Sequence, residues 1–120
     1  MSLSIEIRRL DDVVMLELCG RLSIFEPNLR HLVRKLMEQG DLNFIIDLAN
    51  VSYVDNSGLG QLCLIYTMLH DRRGEMKLRR PTARIRKLLR ITKLDSVFEV
   101  LEDANLVDGT ATLFRSALSA

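Results

Sequence analysis

The sequence predicts an α/β fold in which a parallel strand–helix–strand unit carries an antiparallel strand at one edge. The first observation is a pair of alternating apolar and polar stretches separated only by Asp11-Asp12, as in a β-hairpin. The second is the apolar run at 44–46, which a polar turn separates from a segment of helical period. A further strand pattern follows that helix, and it predicts a right-handed parallel crossover.

The composition fits one soluble globular domain over residues 1–120. Apolar residues make up 48% of the chain, and no apolar run reaches the roughly 18–20 residues that a transmembrane helix needs. The start of the chain has no basic region followed by an apolar core, so it does not resemble a signal peptide. We therefore expect a cytoplasmic protein. The isolated residues Cys19 and Cys63 are expected to be reduced and buried.

The chain is predicted to open with two strands. Apolar and polar residues alternate over 3–8, and after the turn at Asp11-Asp12 a second strand runs over 13–19. We expect Gly20 to end this strand and 21–25 to form a connector.

A first helix is predicted to start at Glu26-Pro27, since proline suits the first turn of a helix, and to stop at Gly40. Its apolar residues form a single stripe: Leu29, Leu32, Val33, Leu36 and Met37. The strand at 43–48 follows, and a polar loop then leads to the turn at 55–58.

The second half of the chain alternates helices and strands. A helix is predicted over 57–71, apolar most of the way round, and a strand over 76–80. A third helix over 82–91 and a short strand over 97–101 follow. A last helix is expected from about Asp108.

The turn Asp55-Asn56-Ser57-Gly58 is suited to the start of a helix. Side chains of Asp, Asn and Ser accept hydrogen bonds from the backbone N–H groups that a first helical turn leaves without partners. Ser57 could serve as such a cap, and Gly58 lets backbone or a partner approach closely. The residues alone thus allow either a capped helix and nothing more, or a site at the carboxyl end of a strand.

This stretch resembles the signature of STAS domains, in particular the bacterial anti-sigma factor antagonists. That signature is an apolar strand and a short loop followed by Asp-Ser-Ser/Thr-Gly-Leu-Gly. The chain matches it at Asp55, Ser57, Gly58, Leu59 and Gly60. The resemblance extends over most of the chain. It implies a single STAS domain, a mixed sheet with an antiparallel hairpin and a parallel core, and helices packed mainly on one face.

The resemblance also implies a function in signalling and transcription regulation. Such proteins are binding modules, not enzymes, and they act by partner switching with a kinase-type anti-sigma factor. The implied partner is a serine kinase of histidine-kinase fold, and a phosphatase reverses the phosphorylation. The implied partner-binding surface consists of Asp55, Asn56, Ser57, Gly58, Leu59, Gly60 and Ser23.

The chain departs from the family pattern at two positions. Asn56 stands where the phosphorylated Ser is usual, and Ser23 stands where an Asp is common. Asn56 offers no hydroxyl, and one helical step of about 100° separates its side chain from that of Ser57. Two outcomes stay open: phosphorylation of Ser57, or a constitutively unphosphorylated binder that has lost the switch.

A second hypothesis rests on the basic segment 72–93, which holds ten basic residues and one acid, Glu75, in a chain of net charge +1. Such density can mark a scaffold or nucleic-acid-binding protein, or it can be a solvated surface. The segment contains no aromatic residue for base stacking. Nucleic acid is therefore the less favoured partner, and steering toward an acidic protein is the simpler functional interpretation.

Nothing in the sequence predicts catalysis, a metal or a cofactor. Asp47 and Asp55 are two acids near one strand end, without an accompanying nucleophile–base pair. His31 and His70 are isolated from other residues of metal-ligand type. The sequence leaves the oligomeric state open.

Overall fold

The computed structural model describes residues 3–23 and 28–101, which form a five-stranded sheet with helices beside it. In chain order the elements are β1 Leu3–Leu10, β2 Val13–Leu22, α1 Asn28–Glu38, β3 Asn43–Val54, α2 Asn56–Asp71, β4 Glu75–Arg79, α3 Ala83–Ile91, a 3₁₀ turn Leu94–Ser96 and β5 Glu99–Leu101. The strands lie side by side in this same order. β1 is antiparallel to β2, and the other neighbouring pairs are parallel. The predicted mixed sheet is confirmed.

The three described helices pack on one face of the sheet, as expected. Successive strand residues point to opposite faces. Val14, Phe44 and Met76 lie in register across β2, β3 and β4, and all three are buried in one core. Each helix contributes to that same core: Leu29 from α1, Leu62 from α2 and Ile85 from α3.

β3 is longer than the sequence predicts. It continues past residue 48 to Val54, through the stretch that we expected to be a loop. The pairing of β3 with β2 continues to the end of the strand through two register shifts, so that Asn50 pairs with Cys19 and Val54 with Leu22. The prediction was wrong because Ala49 and Asn50 have low strand propensity, whereas cross-strand pairing decides their conformation.

β2 also runs past its predicted end. Gly20 does not stop the strand; it lies at the second irregularity with φ +117°, and β2 continues to Leu22. The burial predicted for Cys19 is wrong as well, since this thiol is exposed. Cys19 follows the buried Leu18 and therefore points to the opposite face, where it pairs with Ser4 on the edge strand.

Other element boundaries differ from the prediction by a residue or two. β4 begins at Glu75. β5 begins at Glu99 because Val97 closes the 3₁₀ turn by donating its N–H to the Leu94 carbonyl, which keeps residue 97 out of the sheet. The predicted start of α1 at 26–27 and the predicted helix from residue 108 both lie outside the described residues.

Candidate functional site

The turn at the carboxyl end of β3 is a capped helix start. Asp55 is the N-cap of α2, and its Oδ1 accepts a 2.8 Å hydrogen bond from the Gly58 N–H. The Oγ of Ser57 donates to the same Oδ1 at 3.0 Å. The suggestion that Ser57 itself caps the helix is therefore wrong, because its hydroxyl supports the carboxylate that does so.

Gly58 lets α2 begin directly against the end of β2. A Cβ built on this residue would overlap the backbone carbonyl of Leu22, and it would crowd the Val54 side chain at 3.1 Å. Gly60, two residues later, has nothing within 4 Å of such a Cβ. Gly58 therefore allows the close contact between α2 and β2 that shapes the site. A side chain at position 60 would meet only open space.

A second contact joins α2 to the loop after β2. The side-chain amide of Gln61 donates a 2.8 Å hydrogen bond to the backbone carbonyl of Ser23, and both residues are buried. Ser23 thus lies next to the signature turn, as the resemblance implied. Sequence reasoning missed Gln61, although a polar residue beside the apolar Leu62 was a usable sign of a buried hydrogen bond.

The residues predicted to bind a partner differ in exposure. Asn56 is exposed in the first turn of α2, and Ser57 and Gly60 are half-buried. Gly58 and Leu59 are buried, with Leu59 packed in the main core. Asn56 is therefore the exposed side chain among the predicted residues, and the buried members pack beneath it.

A cavity of about 500 Å³ opens between α1 and α2, beside the turn. The residues that line it are Arg30, Ser57, Gly60, Gln61, Cys63, Leu64 and Thr67. Burial raises the pKa of the Cys63 thiol, so this cysteine is less easily ionised than an exposed one. Sequence reasoning did not single out Arg30, because it flanks the apolar stripe of α1.

The fold divides the basic segment 72–93 between two places. The carboxylate of Asp47, 3% exposed, accepts hydrogen bonds from Arg79 at 3.1 Å and from Arg80 at 2.7 Å. Lys77 is buried and forms an ion pair with Glu99 at 3.1 Å. These three cations therefore pair with carboxylates on the face of the sheet away from the helices.

The remaining basic side chains lie around α3 and the end of α2. Six of them are exposed and one is half-buried: Arg72, Arg73, Arg84, Lys87, Arg90 and Lys93, with Arg86 the partly buried one. Within residues 3–23 and 28–101, no group of three His, Cys, Asp or Glu side chains is placed to hold a metal ion. No helix in the same ranges is long and apolar enough to cross a membrane.

The sequence of this chain is similar to those of known proteins. The family model for the STAS domain matches residues 4–108. The anti-sigma-B factor antagonist of Bacillus subtilis is 28% identical over 102 residues, covering 83% of this chain and 92% of the relative.

Solved structures share the fold. The phosphorylated form of the Bacillus cell fate determinant SpoIIAA superposes with a TM-score of 0.68 at 19% identity, covering 88% of this chain and 97% of the other. An anti-sigma factor antagonist from Mycobacterium paratuberculosis gives a TM-score of 0.75 at 19% identity, covering 99% and 96%. At these identities the superpositions establish the common architecture.

Proposed function

Because the chain belongs to the STAS domain family, we propose that it is a regulatory binding module of the anti-sigma factor antagonist type. Two of its relatives are named anti-sigma-B factor antagonists, and we propose the role of an anti-sigma factor antagonist here. The proposal treats residues 1–120 as one domain that acts in the cytoplasm. It involves no chemistry performed by the chain itself.

One observation carries the proposal: Asn56 is exposed on a backbone that its neighbours fix in place. The Asp55 cap and the contact of Gly58 with Leu22 hold the start of α2, and the Gln61 bond to Ser23 holds the adjoining loop. A surface held in this way loses little conformational entropy on binding, which favours recognition of a protein partner.

The proposed partner is a kinase-type anti-sigma factor, a serine kinase of histidine-kinase fold. Docking of the surface around 55–60 would release a sigma factor from that partner. In the family's ordinary scheme, a phosphate adds about −1.5 to −2 charges to the interface and breaks the complex, and a phosphatase restores it.

Position 56 cannot accept a phosphate in this chain because Asn has no hydroxyl. The module is then either a constitutive binder or one whose switch operates at Ser57. Ser57 is half-buried and donates its hydroxyl to Asp55, so a kinase would have to break that hydrogen bond to modify it. The intact mass of the protein from its native cells distinguishes the two.

The test is a pull-down of the full chain from its native cells, with mass spectrometry of both the captured proteins and the bait. Asn56→Arg should abolish capture of the anti-sigma partner, since the added side chain stands in the middle of the proposed surface. Gln39→Arg makes the same charge change at another exposed position, just after α1, and should leave capture intact.

Capture of a histidine-kinase-fold protein by the wild type and by Gln39→Arg, but not by Asn56→Arg, would support the proposal. Equal capture by both variants would move the interface elsewhere. If nucleic acid co-purified and no such kinase did, the proposed function would be wrong and the exposed cations around α3 would be the next surface to mutate.

A further inference from the structure

We propose that the cavity between α1 and α2 binds a small organic molecule with a carboxylate at one end and an apolar body at the other. The cavity lies beside the turn at 55–58, but the inference is independent of the proposed function. It is carried by the guanidinium of Arg30, by the residues of α2 that line the cavity, and by the volume between the two helices.

Arg30 is a half-buried cation without an anion. Its Nε is shielded from solvent and has no hydrogen-bond partner, and within residues 3–23 and 28–101 its guanidinium forms no ion pair. A guanidinium that loses part of its hydration without gaining an acceptor is unfavourable in free energy. Its planar fork of N–H donors matches the two oxygens of a carboxylate. A carboxylate in the cavity therefore satisfies a donor that the fold leaves unused.

No acidic side chain competes for this cation among the described residues that line the cavity, so Arg30 gives it a positive charge. The polar groups of α2 that lie nearest the turn already have partners. The Ser57 hydroxyl donates to Asp55, and the Gln61 amide donates to the Ser23 carbonyl. Among the described lining residues, Arg30 is therefore the charged donor that a ligand meets.

The cation stands at one end of the cavity. Arg30 is in the first turn of α1 and Ser57 in the first turn of α2. Both helices begin at the same edge of the sheet, because each follows one strand of the parallel pair β2 and β3. Leu64 and Thr67 lie about two and three turns further along α2. A ligand with its carboxylate at Arg30 therefore extends its other end along α2.

The surface further along α2 suits an apolar body. Leu64 lines the cavity and is 47% exposed. Thr67 donates its hydroxyl to the Cys63 carbonyl at 3.0 Å, so this hydroxyl already has a partner in the helix itself. Burial raises the pKa of the Cys63 thiol, which keeps it uncharged at neutral pH. An apolar group that covers Leu64 gains free energy by removing apolar surface from water.

The space available matches such a ligand. The cavity volume of about 500 Å³ falls within the range of roughly 300–1,000 Å³ that is common for small-molecule sites. Gly60 keeps part of it open, because a Cβ at this residue has nothing within 4 Å. A single guanidinium balances a single negative charge, which favours a monocarboxylate over a ligand that carries several phosphates.

The test is an NMR titration of the ¹⁵N-labelled full chain with octanoate at neutral pH. We expect saturable shifts in the millimolar range or below, largest at the backbone amides of Gly60 and Leu64. Octanamide keeps the tail without the charge, and acetate keeps the charge without the tail. Each should bind at least about tenfold more weakly than octanoate.

Three results of this titration would overturn the proposal. The first is the absence of saturable octanoate shifts at the two amides, which would exclude the site. The second is octanamide binding as tightly as octanoate, which would exclude a role for the carboxylate. The third is acetate binding as tightly as octanoate, which would exclude a role for the apolar body.

Arg30→Met and Arg34→Met form a matched pair of variants. Arg34 lies one turn further along α1, is exposed, and lines a different cavity. We expect Arg30→Met to weaken octanoate binding by about tenfold or more and Arg34→Met to leave it unchanged. Equal affinities in the two variants would contradict the assignment of Arg30 as the carboxylate-binding residue.

Thermal unfolding without ligand separates a binding role of Arg30 from a structural one. Arg30→Met should leave the melting temperature unchanged or raise it, because no described partner of the guanidinium is lost. A fall greater than that of Arg34→Met would make Arg30 a structural residue and overturn the proposal. Gly60→Leu, which fills the cavity, should abolish octanoate binding in a folded chain, and retained binding would place the ligand elsewhere. These measurements involve no protein partner, so their failure is distinct from failure of the pull-down.

Discussion

Ser57 and Gly58 share one oxygen of Asp55: the serine Oγ donates to Oδ1 at 3.0 Å, and the glycine N–H donates to it at 2.8 Å. The residue that could be modified and the bond that starts α2 are therefore coupled through a single atom. Any change at Asp55 alters the helix start and the environment of the serine hydroxyl together.

The cap should contribute more to stability than the serine hydroxyl. Asp55→Ala removes the acceptor for an N–H of the first turn, and we expect it to lower the free energy of unfolding by about 1 kcal/mol. Ser57→Ala leaves the cap in place and should cost about 0.5 kcal/mol. Urea denaturation at neutral pH measures both, and a larger loss in Ser57→Ala would contradict this order.

The two glycines of the turn should respond in opposite directions to alanine. Gly58→Ala forces a methyl group onto the Leu22 carbonyl, so we expect a loss of about 2 kcal/mol or more in the free energy of unfolding. Gly60→Ala has open space within the helix and should gain up to about 1 kcal/mol. Denaturation curves of the pair, recorded side by side, provide the comparison; equal effects would refute the close-packing argument.

Restoring a hydroxyl at position 56 should create a phosphorylation site. In a Ser57→Ala background, Asn56→Ser is expected to take up one phosphate when incubated with the partner kinase and ATP. Position 56 is exposed, so the kinase can reach it without unfolding the turn. The readout is intact mass.

Ser57→Ala alone is the control for that experiment and should stay unmodified. If the double variant also stayed unmodified, the mechanism shared with the family would be in doubt, whereas the fold would be unaffected.

The Asp47 carboxylate should be important for folding although it lies outside the binding surface. Asp47→Ala leaves Arg79 without its partner in a half-buried setting, and we expect a loss of about 3 kcal/mol. On the same face Glu17 pairs with Arg8, whose side chain is largely exposed, so Glu17→Ala should cost less than about 1 kcal/mol. Chemical denaturation of the two variants measures these losses. Similar losses would contradict the claim that the buried carboxylate contributes more than the exposed ion pair.

The two cysteines should differ in reactivity. Burial raises the pKa of Cys63, which lowers its thiolate fraction at mildly alkaline pH, whereas Cys19 is exposed. Peptide mapping after brief iodoacetamide treatment should find Cys19 alkylated first. The rate at Cys63 should climb as the pH is raised toward its pKa; faster labelling of Cys63 throughout would contradict the direction of the shift.

Much of the fold followed from local patterns. The hairpin around Asp11-Asp12, the order of strands and helices, and the helix start after Asp55 were all predictable from periodicity and turn chemistry. The end of β3 was not, because Ala49 and Asn50 are held in a strand by their pairing with β2 and not by their own preference.

The site was predictable only where its residues are adjacent in sequence. The turn around Ser57 was found from its own residues, but nothing in the pattern indicated that Arg30 and Gln61 lie beside it. Amphipathic spacing shows which stripe of a helix is buried, and it does not show which flanking residue faces the neighbouring helix. That information exists only once α1 and α2 have packed together.

Asn56 and Gly58 differ in how well they tolerate substitution, and this difference affects how the protein can evolve. Gly58 admits no side chain, so substitutions there are removed by loss of folding. Asn56 is exposed, so its replacement leaves the core untouched. A lineage can therefore gain or abandon chemical control at position 56 through single mutations that are almost neutral for stability, which makes regulation here more readily altered by drift than the shape that the partner recognises.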